Sequence, residues 1–300
     1  MRPFSRYHRT CAVMLRSLGA TALASVLAGA PTSVGNTMAM RRALALSILT
    51  VACLAAGSSP ASAASAFGSL NYAAGTTSAG MLDVGMVFST VAADLPASSR
   101  YYTGAFRDAA LSPREVAIVS LQQASIPDRP PVRKIYTQVP TGNGNITDVK
   151  PATGVTLLTA TTSPILGFST GGAAWTPGRS YRLRVRQIAR PSGGRRFRVS
   201  VTNVATGGER VIVDFTRQSL AALSLNTRGD VNASASTCAS LYDARASIDR
   251  PRGVRGSDGA AIVAGSSPSF FGSKPSDPGG TCVASQRRVS TDRIVIDLGR

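Results

Sequence analysis

Apolar and polar residues alternate with a period of two along three successive runs between Ser180 and Thr216. Tyr181, Leu183 and Val185 are interleaved with Arg182, Arg184 and Arg186. Phe197, Val199 and Val201 are interleaved with Arg196, Arg198 and Ser200. Val211, Val213 and Phe215 follow, separated by Ile212 and Asp214. Side chains on a strand point alternately to its two faces, so the three runs predict an antiparallel meander with one buried face. The breaks between them, Pro191-Ser192-Gly193-Gly194 and Thr206-Gly207-Gly208, are turn chemistry, and Pro177-Gly178 before the first run suits a type II turn. Comparable short apolar runs recur at Leu82–Thr90, Glu115–Gln122, Val132–Val139, Gly154–Ala160 and Arg293–Leu298. No long helical periodicity interrupts them. The expected fold class is therefore all-β, an antiparallel two-sheet sandwich or a barrel.

The register has a chemical consequence. If the apolar residues of neighbouring strands share one face, Arg182, Arg184, Arg186, Arg196 and Arg198 share the other. Like charges opposite one another are destabilising. Either these side chains splay into water, or acidic neighbours or an anionic ligand neutralise them.

Within the same region, Gly167-Phe168-Ser169-Thr170-Gly171-Gly172, then Trp175-Thr176-Pro177-Gly178, then Tyr181-Arg182-Leu183-Arg184-Val185, resembles a family of extracellular bacterial domains of unknown function with a concanavalin-like jelly roll. The resemblance runs from Gly167 to Phe215. It implies a two-sheet jelly-roll sandwich and a glycan context, and supplies no active-site residues.

The N-terminal third reads differently. From Met40, Arg41-Arg42 precede the apolar run Ala43–Ala56, and Ala61-Ser62-Ala63 offers a small-residue cleavage site. This order is that of a cleavable secretory signal. Cys53 as a lipidation site fits less well, because Thr50 stands where a large aliphatic residue is usual. The expected organisation is an extended or misassigned start at 1–39, a signal peptide at 40–63 and one secreted β domain at 64–300, with no transmembrane anchor after cleavage. Cleavage removes six arginines and no acid, so the formal charge falls from +18 to +12. Lysine contributes only Lys134, Lys150 and Lys274, so the basic balance rests on arginine.

Cleavage also changes the available chemistry. Cys11 and Cys53 leave with the leader, and Cys238 and Cys282 remain as one pair in an oxidising compartment, where they are expected to bond. The single histidine, His8, leaves too. Without it, Ser-His-Asp and Cys-His catalysis and His-ligated zinc are excluded. Gly167-Phe168-Ser169-Thr170-Gly171 matches G-x-S-x-G, but the residues after it cannot form the helix a nucleophile elbow requires. No phosphate-binding glycine loop, acidic calcium loop or nucleic-acid recognition motif is present. No cofactor is implied; calcium held by carbonyls and isolated aspartates stays open.

The remaining candidates for ligand contact are aromatic. Tyr101, Tyr102 and Phe106 fall in a polar stretch that reads as a loop, and Phe270-Phe271 lies between Pro268 and Gly272. The sequence thus leads to a secreted, non-catalytic β-sandwich that contacts an extracellular polysaccharide or an anionic envelope polymer through Tyr101 and Tyr102 or through the arginine face. A carbohydrate-active enzyme using aspartates and a structural protein without a small ligand are the alternatives.

Overall fold

The computed structural model describes residues 64–298 except 73–78, 91–98, 109–114, 127–128, 142–145, 160–163, 219–221, 236–237, 242–244 and 274–281. The signal and the extended start expected at 1–63 lie outside the described residues.

The strands in chain order are β1 (Ala64–Asn71), β2 (Ala79–Thr90), β3 (Ser99–Asp108), β4 (Glu115–Ile126), β5 (Arg129–Pro140) and β6 (Ile146–Pro151). They continue with β7 (Val155–Leu157), β8 (Ile165–Thr170), β9 (Ser180–Ala189), β10 (Arg195–Asn203), β11 (Glu209–Arg217) and β12 (Leu223–Ala235). After one helical turn, α1 (Cys238–Leu241), come β13 (Ala246–Asp249), β14 (Arg252–Arg255), β15 (Ala261–Val263), β16 (Ser269–Gly272), β17 (Ala284–Ser290) and β18 (Arg293–Leu298).

All pairings are antiparallel, and they fall into two runs. The first is β7-β8-β5-β4-β3-β12-β1-β16. The second is β6-β11-β10-β9-β2, after which the far edge of β2 is shared by β14 along Met81–Gly85 and by β13 along Phe88–Thr90. β13 continues to β18 and β17, and β14 to β15. A short pairing of Leu223 with Met81 joins the runs into one connected sheet.

The core forms where the apolar faces of the two runs meet. Leu183, Val185, Phe197, Val199 and Phe215 of the meander are fully buried. Burial of each such side chain is worth about 1.5–3 kcal/mol. Close approach depends on glycines in the first run that sit beneath large side chains of the second. A Cβ on Gly104 would lie 3.3 Å from Leu183 Cδ1, and one on Gly229 would lie 2.8 Å from Met86 Sδ and 3.0 Å from Ile248 Cδ1. Gly68 is placed likewise under Ile296.

The expected alternation holds along β9 as far as Arg186, is lost at its end where the pairing with β10 skips Ile188, and slips again on β11. Val199 pairs with Val213 and Ser200 with Val211, which leaves Ile212 as an extra residue. An extra residue of this kind shifts which side chains face inward. Ile212 is accordingly buried and Val211 only half-buried, the reverse of the simple period-two reading.

The loop expected around Tyr101, Tyr102 and Phe106 is strand β3. Tyr102 and Phe106 point into the core, and of the two tyrosines only Tyr101 keeps an exposed edge. Trp175 is buried as well, with its ring edge-on to Tyr102 at 5.9 Å and to Tyr181 at 6.4 Å. Pro177-Gly178 turns as expected, with Gly178 at φ +74°. Cys238 and Cys282 are disulfide-bonded and tie α1 to the segment before β17.

One glycine of β14 is fixed by backbone rather than by a movable side chain. A Cβ on Gly253 would stand 2.5 Å from the Asp83 carbonyl oxygen. Gly253→Ala is expected to push β14 off β2 and cost at least about 1–3 kcal/mol. Thermal unfolding of the variant checks this, and an unchanged midpoint would contradict it.

Candidate functional site

The five arginines of the meander do share one face, and the structure shows how that face tolerates them. The cross-strand row Asp83, Arg186, Arg198, Asp214, Lys150 runs over β2, β9, β10, β11 and β6, with a carboxylate on each side of the arginine pair. Arg184 donates from Nε to both oxygens of Asp83, at 2.8 and 3.0 Å, and from Nη2 to Oδ2. Arg198 donates to both oxygens of Asp214 at 2.8 Å, and Arg196 lies 3.9 Å from Asp214. Glu209 accepts from Ser200 at 2.6 Å and stands 3.9 Å from Arg184. Hydrogen bonding to Asp83 and to Asp214 raises the Arg184 and Arg198 guanidinium pKa values, so both arginines are firmly charged. Partly exposed pairs of this type contribute up to about 1 kcal/mol each.

Arg182 and Arg186 stand apart from these pairs. Among the described residues neither side chain makes a hydrogen bond or an ion pair. The alkyl stem of Arg182 lies across Gly85, where an added Cβ would come within 3.1 Å of its Cδ. Gly85 and Val87 thereby form the floor of a groove along β2, about 190 Å³ in volume. Ser180, Arg182 and Val204 line it on the β9–β10 side, and Asp249, Arg250, Arg252 and Arg293 on the other.

The far wall is cross-braced by two Asp-Arg dipeptides that exchange partners. Asp249 accepts from Arg293 at 2.6 and 3.1 Å, while Asp292 accepts from Arg250 at 2.9 Å. Arg250 also donates to the Ala264 carbonyl at 2.8 Å, so its head is fixed from two sides. Arg252 reaches Asp292 at 3.2 Å but leaves 63% of its side chain exposed. Four arginines against one lining aspartate make the groove cationic.

The sequence pointed to Arg182 and missed Arg250, Arg252 and Arg293. Their signal was the pair of Asp-Arg dipeptides at 249–250 and 292–293, which lie 43 positions apart and meet only because β13 pairs with β18.

Tyr101 is not brought to this groove. It occupies a register row on the first run with Asn232 and Phe67, and Phe271 of β16 pairs with Ser69, two residues along β1 from Phe67. Phe67 and Phe271 are exposed, at 43% and 60%, whereas Phe270 packs against the core.

Every carboxylate whose side chain is described has a partner. Besides those above, Asp230 accepts from Ser69 at 2.6 Å and from Arg228 at 2.9 Å, and Arg228 also approaches Glu115 at 3.6 Å. Asp258 pairs with Arg255, Asp297 lies 4.0 Å from Arg287, and Asp148 accepts from Thr216 at 3.4 Å. Among the described residues no three His, Cys, Asp or Glu side chains cluster as a metal site, and no helix is long and apolar enough to cross a membrane.

No protein-family model matches the chain, and no curated protein matches it in sequence. Among solved structures, scytalido-glutamic peptidase with a peptide-based transition-state analogue is 9% identical at a TM-score of 0.38, over 79% of this chain and 100% of that one. SCP-B, a member of the eqolisin family of peptidases in complex with the tripeptide Ala-Ile-His, is 8% identical at 0.34 over the same shares. The CBM2 module of an evolved Dit of Lactobacillus casei BL23 phage J-1 is 11% identical at 0.27, over 55% of this chain and 67% of that one. Scores at this level assign no fold family, and no activity is taken from them.

Proposed function

We propose that the chain is an exported two-layer β-sandwich that binds an anionic polymer of the cell envelope or extracellular matrix in the groove over β2. The two-layer arrangement is supported by the meeting of the two strand runs at Gly104 and Leu183, at Gly229 and Met86, and at Gly68 and Ile296. Export is supported by the basic-apolar-small order of residues 40–63 and by the disulfide, which suits an oxidising compartment.

The observation that carries the binding role is the placing of Arg182 and Arg252 on facing walls above a floor of small side chains. A planar guanidinium meets a phosphate, sulfate or carboxylate through two parallel hydrogen bonds, which suits it to repeating oxyanions. Among the described residues every carboxylate has a partner, mostly arginine, and no free carboxylate pair of the kind an aspartate-based glycosidase uses is present.

Arg184 and Arg198 are poor targets for a test, because each is tied to an aspartate and its reversal would disturb the sheet. Arg182 and Arg252 are better. Combined Arg182→Glu and Arg252→Glu is expected to weaken binding to teichoic-acid-like and sulfated polymers at least about tenfold at low salt, a loss near 1.4 kcal/mol. Surface plasmon resonance on immobilised polymers reads the change. Unaltered affinity in the double variant, or no binding of the wild type to any anionic polymer at low salt, overturns the proposal. Neutral polysaccharides in the same panel test a second reading, in which a sugar stacks on the exposed rings of Tyr101, Phe67 and Phe271.

A further inference from the structure

A second basic cleft lies farther along the same pair of neighbouring strands, β2 and β9. The second cleft, about 320 Å³, is lined by Gly80, Arg190, Arg195, Arg255 and their neighbours. On β2 the clefts are marked by Gly80 in one and Gly85 and Val87 in the other; in the β9 segment they are marked by Arg190 and Arg182. The register of β9 with β10 skips Ile188 and Arg190 follows the end of β9, so strand rise sets an upper limit of about 26 Å on the distance from Arg182 to Arg190.

Between them the arginines fall into two kinds. Arg184 is taken up by Asp83. Among the described residues, the side chains of Arg182, Arg186 and Arg190 have no hydrogen bond or ion pair. Arg182 and Arg186 therefore stand about 13 Å apart on the regular part of β9 with the neutralised Arg184 between them, and Arg190 follows beyond the irregularity at Ile188. A compact anion would meet one of these guanidinium groups and leave the others untouched. A long, linear polyanion would engage all three.

Resting on the polymer-binding reading above, we infer that β9 measures its ligand: the partner is a linear polyanion, and tight binding requires a chain long enough to reach from the Arg182 cleft to the Arg190 cleft. The physical basis is effective concentration. Once one end is held, the second cleft meets the other end within the same complex, and affinity rises without any new kind of contact. The gain is absent while the ligand is too short to span the gap.

Two size-graded series test this, linear inorganic polyphosphates and sulfated oligosaccharides, each titrated into the folded wild-type domain, Arg182→Gln and Arg190→Gln. Circular dichroism confirms that the variants keep their fold. With the wild type, affinity is expected to rise at least tenfold, beyond the increase in charge number, as the extended length passes about 26 Å. Arg190→Gln should abolish that rise while leaving short oligomers bound as in the wild type; Arg182→Gln should weaken short and long alike. A rise in one series only also supports the inference and identifies phosphate or sulfate ester as the recognised group. Affinity that merely scales with charge number, or a rise that survives Arg190→Gln, overturns the measuring role and leaves the single-groove reading standing. Failure of both series to bind at low salt overturns that reading and this inference together.

Discussion

Replacement of Cys238 and Cys282 together by serine is expected to destabilise the domain by about 4 kcal/mol. The bond closes a sequence separation of 44 residues, and in the chain-entropy model a loop of this size restricts the unfolded chain by about that amount. The loop contains β13, β14, β15 and β16, among the shortest strands of the fold, and with them Asp249, Arg250 and Arg252 of the groove's far wall. Four-residue strands supply few ladder hydrogen bonds of their own, so the covalent tie acts where pairing is weakest. For a domain of this size the midpoint should fall by about 8–16 °C. Calorimetry of the unreduced protein against the double variant measures it. A change under about 2 °C would mean that β13 to β16 hold themselves in place and that the bond contributes little.

Trp175→Ala is expected to cost about 3–5 kcal/mol. The ring lies between Tyr102 of β3 and Tyr181 of β9, and so touches both strand runs at once. Its Nε1 donates to the Gln122 carbonyl of β4 at 3.1 Å, and deletion leaves that acceptor without its donor. Trp175→Phe keeps an aromatic edge in the site and loses the hydrogen bond, so the difference between the two variants separates packing from polar contact. Trp175 is the single tryptophan, so denaturation must be followed by circular dichroism rather than by intrinsic tryptophan emission. A cost below about 1 kcal/mol for the alanine variant would show that the two runs need no such bridge.

The meander was legible in the sequence because its inward positions are large and its outward ones charged. β9 and β18 emerge with the boundaries that the alternation marks, Ser180–Ala189 and Arg293–Leu298. β12 was not legible, although it is central in the first run. Its inward positions are Leu223, Leu225, Thr227, Gly229, Val231 and Ala233, mostly small because Met86 and Ile248 descend onto Gly229. A strand that gives up side-chain volume to the strands packed against it carries a weak apolar signal. The alternation that should have revealed β3 was masked in the same way by Gly104 and by the polar Thr103 and Arg100. At the site, the sequence placed the arginines on one face and could not say which were neutralised. That outcome depends on Asp83, roughly 100 residues upstream of Arg184, and no local pattern links the two.

β1 lies between β12 and β16, so its two neighbours are among the last strands to be synthesised. Ser69 bonds to Asp230 across 161 positions, and Phe67 reaches Ser273 across 206. β1 thus has no partner on either edge until Leu223–Ala235 exists, and none on its second edge until Ser269–Gly272 follows. Pairings of such separation are slow to form, because loop closure must precede any gain from contact. A partly synthesised chain that lacks β12 would carry β1 as an unpaired edge, open to wrong partners. The seating of β1 between β12 and β16 is thus a late step of folding, set by long-range pairing rather than by the emergence of any one local segment.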